Sequence, residues 1–265
     1  PARCRQTDAL EACSGGYGYA SLPELASSGP GDAFWTMMEA TRIAVRFMPP
    51  VIGLTDGFLA NSSEPWMSPE LDQIPRIPVE FARETRNFAP YMRNEDLARP
   101  WAVPGTPGLG HRIGGLEKAD ILGSVSYEGE NHERMVQLRA QKLQKVADTY
   151  EPLRVHGDAA GDLLVIGWGG TQGALRAATD QVRSQTGKRI GQLHLRHVNP
   201  LPNDLGAVLA KFDHILVAEI NNGQLDKLLR AETLANIQSF NRIQGRPFHI
   251  KELVDVFKAQ LENGS

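Results

Sequence analysis

The sequence predicts an α/β fold with a parallel or mostly parallel sheet covered on both faces, and three stretches carry that prediction. Leu163-Leu164-Val165-Ile166 is an unbroken apolar run, followed by a glycine turn at Gly167–Gly173 and a helical pattern from Ala174 to about Arg183. Leu193 and Leu195 mark a second strand, with a short helix around Leu205–Leu209 after it. Ile215-Leu216-Val217-Ala218 is a third strand, leading into a helix through Leu225, Leu228 and Leu229. A strand buried on both faces reads as a continuous apolar run, and strands that alternate with helices of this length are joined by crossovers that make neighbours parallel.

Earlier in the chain the first thirty residues are rich in Gly, Ser and Ala and only weakly periodic. From Asp32 the signal sharpens: Phe34, Met37, Met38, Thr41, Val45 and Met48 fall at three- and four-residue spacing, one apolar stripe of a helix, with Glu39, Arg42 and Arg46 facing away. Asp32 is the expected N-cap, and Pro49-Pro50 stops the helix. Val51–Thr55 then reads as a short buried strand ending at the turn-forming pair Asp56-Gly57. Prolines at 65, 69, 75, 78, 90, 100, 104 and 107 deny the next stretch a long helix or central strand, while Trp66, Phe81, Phe88, Tyr91 and Trp101 argue for an ordered connection. Asn131–Tyr150 is an amphipathic helix with Met135, Val136, Ala140, Leu143, Val146 and Ala147 inside. A last helix aligns Ile250, Leu253, Val254, Phe257 and Leu261. The expected division is 1–65, a connection at 66–130, and a second domain at 131–265.

Composition excludes several classes of function. In 265 residues the net charge is −3, which supplies no electrostatic reason for binding nucleic acid or an anionic membrane. No apolar run approaches the ~20 residues that cross a bilayer. Two cysteines, Cys4 and Cys13, are too few for a disulfide scaffold, a four-cysteine zinc site or an iron–sulfur cluster held by this chain alone, so a reduced cytoplasmic protein is expected. The chain opens at Pro1 without a Met or signal-peptide pattern, and reads as a cut inside a longer protein.

Few residues offer self-contained chemistry. Gly167, Gly169, Gly170, Thr171 and Gly173 follow a strand and open a helix, where backbone N–H groups and the helix dipole favour a phosphate, although a tight structural turn explains the same glycines. His194 and His197 flank Arg196 at a strand end, with alternation sending His194 and Arg196 to one side and His197 to the other; no third ligand is spaced nearby, so no metal site is expected. His111, His132, His156, His214 and His249 are scattered singly. Glu219 closes the third strand ahead of Asn221-Asn222-Gly223-Gln224, at the end of an α/β sheet where functional groups collect, though Asn and Gly also cap turns.

Five strings change the reading. Thr55–Trp66, containing Asp56, Asn61 and Glu64, resembles the end of the pyrimidine-type domain of 2-oxoacid:ferredoxin oxidoreductases. Arg99–Gly108 and His111–Glu117 resemble that family's connection. Leu195–Pro202, with Arg196 and Asn199, and Glu219–Leu225, with Asn221, Asn222 and Gln224, resemble its transketolase C-terminal-like domain. The resemblance runs in order over about residues 32–248 and is strongest to α subunits acting on 2-oxoglutarate, the 2-oxoglutarate synthases.

The resemblance implies the end of a thiamine-diphosphate fold joined to a transketolase C-terminal-like domain. It implies oxidative decarboxylation of 2-oxoglutarate to succinyl-CoA, with coenzyme A as acyl acceptor and electrons passing to ferredoxin. Thiamine diphosphate and Mg2+ would be held mainly by a partner β subunit, the iron–sulfur cluster by a partner, and none by this chain alone. The catalytic residues are expected before Pro1, and the isolated chain is expected to be inactive. Pro1–Asp8 aligns loosely with a family segment in which Ala2 replaces a threonine and Arg5 a glutamate, and a methyl cannot donate the hydroxyl's hydrogen bond. Two other readings stay open: a non-catalytic module that docks the cofactor-binding subunit, and an α/β domain with its own phosphate ligand at Gly167–Gly173.

Overall fold

The computed structural model describes residues 9–14 and 21–262. Ala2, Cys4 and Arg5 lie outside the described residues, as does the side chain of Cys13. In chain order the elements are α1 (Ala9–Ser14), β1 (Glu24–Ala26), α2 (Asp32–Phe47), β2 (Ile52–Leu54), α3 (Gly57–Asn61), α4 (Gly129–Ala147), β3 (Val155–Gly157) and β4 (Gly161–Trp168). After a 3-10 turn at Gly169–Thr171 come α5 (Gln172–Thr186), β5 (Ile190–Leu195), β6 (His197–Asn199), α6 (Leu205–Leu209), β7 (Phe212–Glu219), α7 (Gln224–Thr233), β8 (Ile237–Asn241) and α8 (Ile250–Glu262).

The larger sheet has the order β3-β5-β4-β7-β8, parallel throughout except for the antiparallel edge strand β3. Its central strand explains the unbroken apolar run. Leu163 and Val165 pack on one face with Leu175, Ala178 and Val182 of α5 and Leu253 and Phe257 of α8. Leu164 and Ile166 pack on the other with Leu205, Leu225 and Leu229. Alternate side chains point to opposite faces, so a strand covered on both sides needs apolar residues at every position.

The smaller sheet has the order β2-β1-β6, and its middle strand comes from the weakly periodic first thirty residues. β1 pairs parallel with β2 and antiparallel with β6, which belongs to the second half of the chain. Leu195 ends β5 in one sheet and His197 starts β6 in the other. Between them the Arg196 carbonyl accepts the Ala26 N–H at 2.7 Å. Three-residue strands with no alternation to read give no sequence signal, so β1 and β6 escape detection.

α2 corrects two expectations. Its N-cap is Gly31, without a side-chain cap; the Asp32 carboxylate accepts instead from the Ser28 N–H and Oγ, both at 2.9 Å. Its buried residues are Thr36, Ile43 and Phe47, of which Ile43 and Phe47 pack with Leu25 of β1 and Val146 of α4. The apolar stripe at 34, 37, 38, 41, 45 and 48 lies on another side, where the proline-rich segment half-covers it and leaves Met37 exposed. The helix therefore has two partners, and the longer apolar stripe faces the looser one.

Residues 62–128 hold no helix or strand, only the bridges Phe81–Trp101, Tyr91–Ile121 and Lys118–Val125. Their order rests on polar clasps more than on ring burial, since Trp66 and Phe81 stay about half exposed at 45% and 50%. The Trp101 indole donates to the Val45 carbonyl at 2.9 Å. Asn131 on α4 binds the Lys118 carbonyl and the Asp120 N–H, both at 3.0 Å. The buried Lys118 ammonium donates to the Gly114 and Leu116 carbonyls.

The core shared by α2, β1 and α4 is small, so one truncation weighs heavily on it. Phe47→Ala is expected to cost about 3–5 kcal/mol by lost burial and a residual cavity. Urea denaturation followed by tryptophan fluorescence reads this as a lowered midpoint, and an unchanged midpoint contradicts the packing.

Candidate functional site

The C-terminal ends of the parallel strands β4, β5 and β7 gather most of the residues singled out by sequence, at the seam where the smaller sheet meets the larger. Open α/β sheets bind ligands at this end. Asp56, 2% exposed, N-caps α3 by accepting the Leu59 N–H at 2.9 Å with Oδ1. Its Oδ2 accepts the Gly170 N–H at 2.8 Å. A Cβ at Gly170 would sit 2.5 Å from that oxygen, so only glycine lets the carboxylate approach. The Thr171 hydroxyl is turned back onto the Trp168 carbonyl at 2.8 Å. The Asp56 carboxylate thus stands where an oxygen of a phosphate at Gly170 would stand, and two separate sequence candidates satisfy each other.

A second set of charges closes the seam alongside. Arg196 pairs with Asp32. Glu39 accepts two hydrogen bonds from Arg42, at 2.7 and 2.6 Å, and Arg42 also donates to Thr149 Oγ1 at 3.0 Å. His197 Nε2 lies 3.6 Å from Glu39 Oε1, and its ring stacks on Tyr150 with centroids 3.6 Å apart. Burial alone would raise the Glu39 pKa, but the hydrogen bonds from Arg42, with the nearby His197 ring adding to them, take it down to about 2. Burial lowers His197 and raises Tyr150. Burial also pushes His194 down to about 4, against the pull of Asp32, so this imidazole is neutral at pH 7. Of these residues the sequence singled out Arg196, His194 and His197 at the strand end and Asp32 as a helix cap; Glu39, Arg42, Thr149 and Tyr150 belong to no local motif that marks a site.

Glu219, fully buried, serves as an internal acceptor. Its Oε1 accepts from Trp168 Nε1 at 3.0 Å, Asn221 Nδ2 at 2.8 Å and the Leu225 N–H at 2.9 Å, and its Oε2 accepts from the Asp226 N–H at 3.1 Å. Asn221 Oδ1 accepts the N–H groups of Gly223 and Gln224 at 2.7 and 3.1 Å. Gly223 takes φ of 73°, a left-handed conformation that glycine adopts without a Cβ clash, and starts α7 there. Gln224 Oε1 accepts the Leu10 N–H at 3.0 Å, tying α1 to α7. Asn199 Nδ2 donates to Ser21 Oγ and the Leu22 carbonyl, both at 2.7 Å, fixing β6 to the segment before β1. Asn61 and Glu64 lie at an exposed edge, where Asn61 Nδ2 donates to the Gly57 carbonyl at 2.7 Å and Glu64 Oε1 accepts the Gly31 N–H at 2.5 Å. Asn222 is exposed.

What the seam offers a reactant is limited. Among the described residues no group of three His, Cys, Asp or Glu side chains is placed to hold a metal ion. The amide of Gly170 is already bound by Asp56. These residues do not fit a diphosphate with its metal, so no chemical step is routed through such a group here. A cavity of about 600 Å3 lies elsewhere, between α2 and the 76–101 segment, with Arg42, Arg76, Phe81 and Trp101 on its wall. No described helix is long and apolar enough to cross a membrane.

Comparison with known proteins meets this geometry from outside. The family model "Pyruvate flavodoxin/ferredoxin oxidoreductase, thiamine diP-bdg" matches residues 1–129. The chain is 41% identical over 98% of its length to 2-oxoglutarate oxidoreductase subunit KorA of Mycobacterium tuberculosis, covering 40% of that protein. It is 30% identical over 100% of its length to 2-oxoacid:ferredoxin oxidoreductase 1, subunit alpha, of Aeropyrum pernix, covering 42% of it. Its fold matches that of 2-oxoglutarate:ferredoxin oxidoreductase from Magnetococcus marinus, solved with 2-oxoglutarate, coenzyme A and succinyl-CoA bound, at TM-score 0.92 and 28% identity over 98% of this chain and 46% of that one. The chain spans about two fifths of the length of these curated relatives.

Two measurements test the seam. Asp56→Ala removes the acceptor for two N–H groups and is expected to cost about 3 kcal/mol in chemical denaturation, since hydrogen bonds to a buried charge exceed neutral ones. The acid limb of the stability curve should show two windows. His194 is depressed, so its contribution is complete above an unfolded value of ~6.5 and is lost as pH falls through about 4. Glu39 is also depressed, so its contribution is complete above ~4.3 and is lost as pH falls through about 2. Urea midpoints against pH should lose the upper window in His194→Leu and the lower in Glu39→Gln; unchanged profiles contradict the assignments.

Proposed function

We propose, from the premise that this chain is kin to the α subunits of 2-oxoacid:ferredoxin oxidoreductases, that it forms part of an α subunit whose complex oxidises 2-oxoglutarate to succinyl-CoA and CO2. Coenzyme A takes the acyl group and ferredoxin the electrons. The single observation behind this reading is the 41% identity to a 2-oxoglutarate oxidoreductase subunit across nearly the whole chain. The match in fold to a 2-oxoglutarate:ferredoxin oxidoreductase supports the same substrate class.

On this reading thiamine diphosphate, when bound, supplies the carbon nucleophile and the electron sink, and a partner β subunit grips its diphosphate and Mg2+. This chain's residues hold two sheets in a set relation and so shape one wall of a cleft that other polypeptide completes. The seam pairs Asp56–Gly170 and Asp32–Arg196 act there as positioning groups, not as acids or bases.

The test joins this chain to the remaining length of the M. tuberculosis relative's α subunit and co-purifies it with a thiamine-binding β subunit. Expected is viologen reduction that requires both 2-oxoglutarate and coenzyme A, at least tenfold faster than with pyruvate, and none from the 265-residue chain alone. A stable complex that oxidises no 2-oxoacid overturns the enzymatic reading and leaves the chain as a docking module.

A further inference from the structure

We propose that Arg93, Arg99, Arg139 and Lys142 form a binding site for a small organic carboxylate. They line a cavity of about 140 Å3 between the end of α2, the 91–99 segment and the side of α4 that carries the buried Met135. On α4 the residues concerned are Met135, Leu138, Arg139 and Lys142, the i, i+3, i+4, i+7 spacing of a single helical stripe. The stripe mixes apolar and basic residues, so neither a search for a core face nor one for a solvated face selects it.

The charges in the pocket do not cancel. Arg93 donates to Asp120 Oδ1 at 2.5 Å and the Tyr91 carbonyl at 3.2 Å, and Arg139 donates to Glu117 Oε1 at 3.2 Å. Both acids are shared, Asp120 with Arg134 at 2.5 Å and Glu117 with His132. Arg99 reaches only the His111 ring at 3.4 Å and the face of Tyr91 at 5.6 Å. Arg139 Nε is buried with no hydrogen-bond partner. Lys142 forms no ion pair among the described residues; its charged neighbours are Arg93, Arg99 and Arg139. Burial and then repulsion from these three bring its ammonium down to about 8.

A buried donor without an acceptor and an ammonium among guanidinium groups are both costly, and one bound anion relieves both. The remaining walls select the kind of anion. Met48, Leu97, Met135 and Leu138 are apolar, which suits the aliphatic carbons of an organic acid and would strip water from the extra oxygens of a phosphate. The space equals that of about four or five waters at the ~30 Å3 each takes in the liquid, enough for a short dicarboxylate but not for a bulky one.

The experiment uses the 265-residue chain with its lysines reductively 13C-dimethylated, which keeps their charge, and assigns the Lys142 signal by its loss in Lys142→Arg. Succinate and, separately, inorganic phosphate are titrated at constant ionic strength while 1H–13C spectra are recorded. Expected is a saturable shift of the Lys142 signal by succinate at millimolar concentration or below, with its titration midpoint moving up by more than one pH unit. Tyr91, His111, Glu117, Asp120 and the three arginines are the other charged or titratable groups facing this amine or its neighbours, so Arg99→Gln should weaken the apparent affinity at least tenfold. A Lys142 response no larger than that of exposed Lys188 or Lys211 overturns the site. Saturation by phosphate at equal or lower concentration overturns the carboxylate assignment. Because the wild-type spectra decide both points, misfolding of a variant does not rescue the proposal.

Discussion

A single extended segment, residues 190–199, takes part in both sheets, and the arrangement of the molecule follows from that constraint. β5 is hydrogen-bonded between β3 and β4 until Leu195, and β6 pairs with β1 from His197. One residue separates the two ladders, so the two sheets have no hinge of any length between them at this point. The backbone bond from Ala26 to Arg196 closes the gap. Every side chain at the seam is placed by this join: Arg196 against Asp32, His197 against Glu39 and Tyr150, and Asp56 against the turn after β4.

Charge is handled in two opposite ways in the same chain. At the seam two buried acids, Asp56 and Glu219, have defined sets of donors. Asp56 has two backbone N–H groups and Glu219 has four N–H donors. A buried carboxylate so supplied is a rigid structural part, because moving any partner leaves an unsatisfied charge in a medium of low polarity. Around Lys142 the surplus is positive and the donors are left over. Satisfied polar networks hold a fold together, whereas an unsatisfied one facing a cavity marks a place where something else belongs.

Kinship and geometry bear on the function at different levels. The relatives suggest the chemistry that the proposed function assigns, and the geometry describes what these residues do in the fold. The seam residues that match the family strings bind one another and the backbone. On the proposed function they set the position of one surface, the kind of positioning that catalytic groups on separate polypeptides depend on.

Read alone, the sequence determined the α/β class, the order of the long elements and the family resemblance, because each rests on a local or linear property. Leu163–Ile166 is apolar at every position since both its faces are covered, and the glycine turn and helix that follow obey neighbouring residues only. Tertiary structure decided the rest. β1 and β6 are three residues each and exist only through pairing in space, β1 with both β2 and β6; α2 buries Ile43 and Phe47 because β1 and α4 lie on that side. Asp56 and Gly170 are 114 residues apart, and no pattern in the chain links them. Pairing, facing and charge balance are properties of what approaches in space, and a string of residues carries them only through the packed whole.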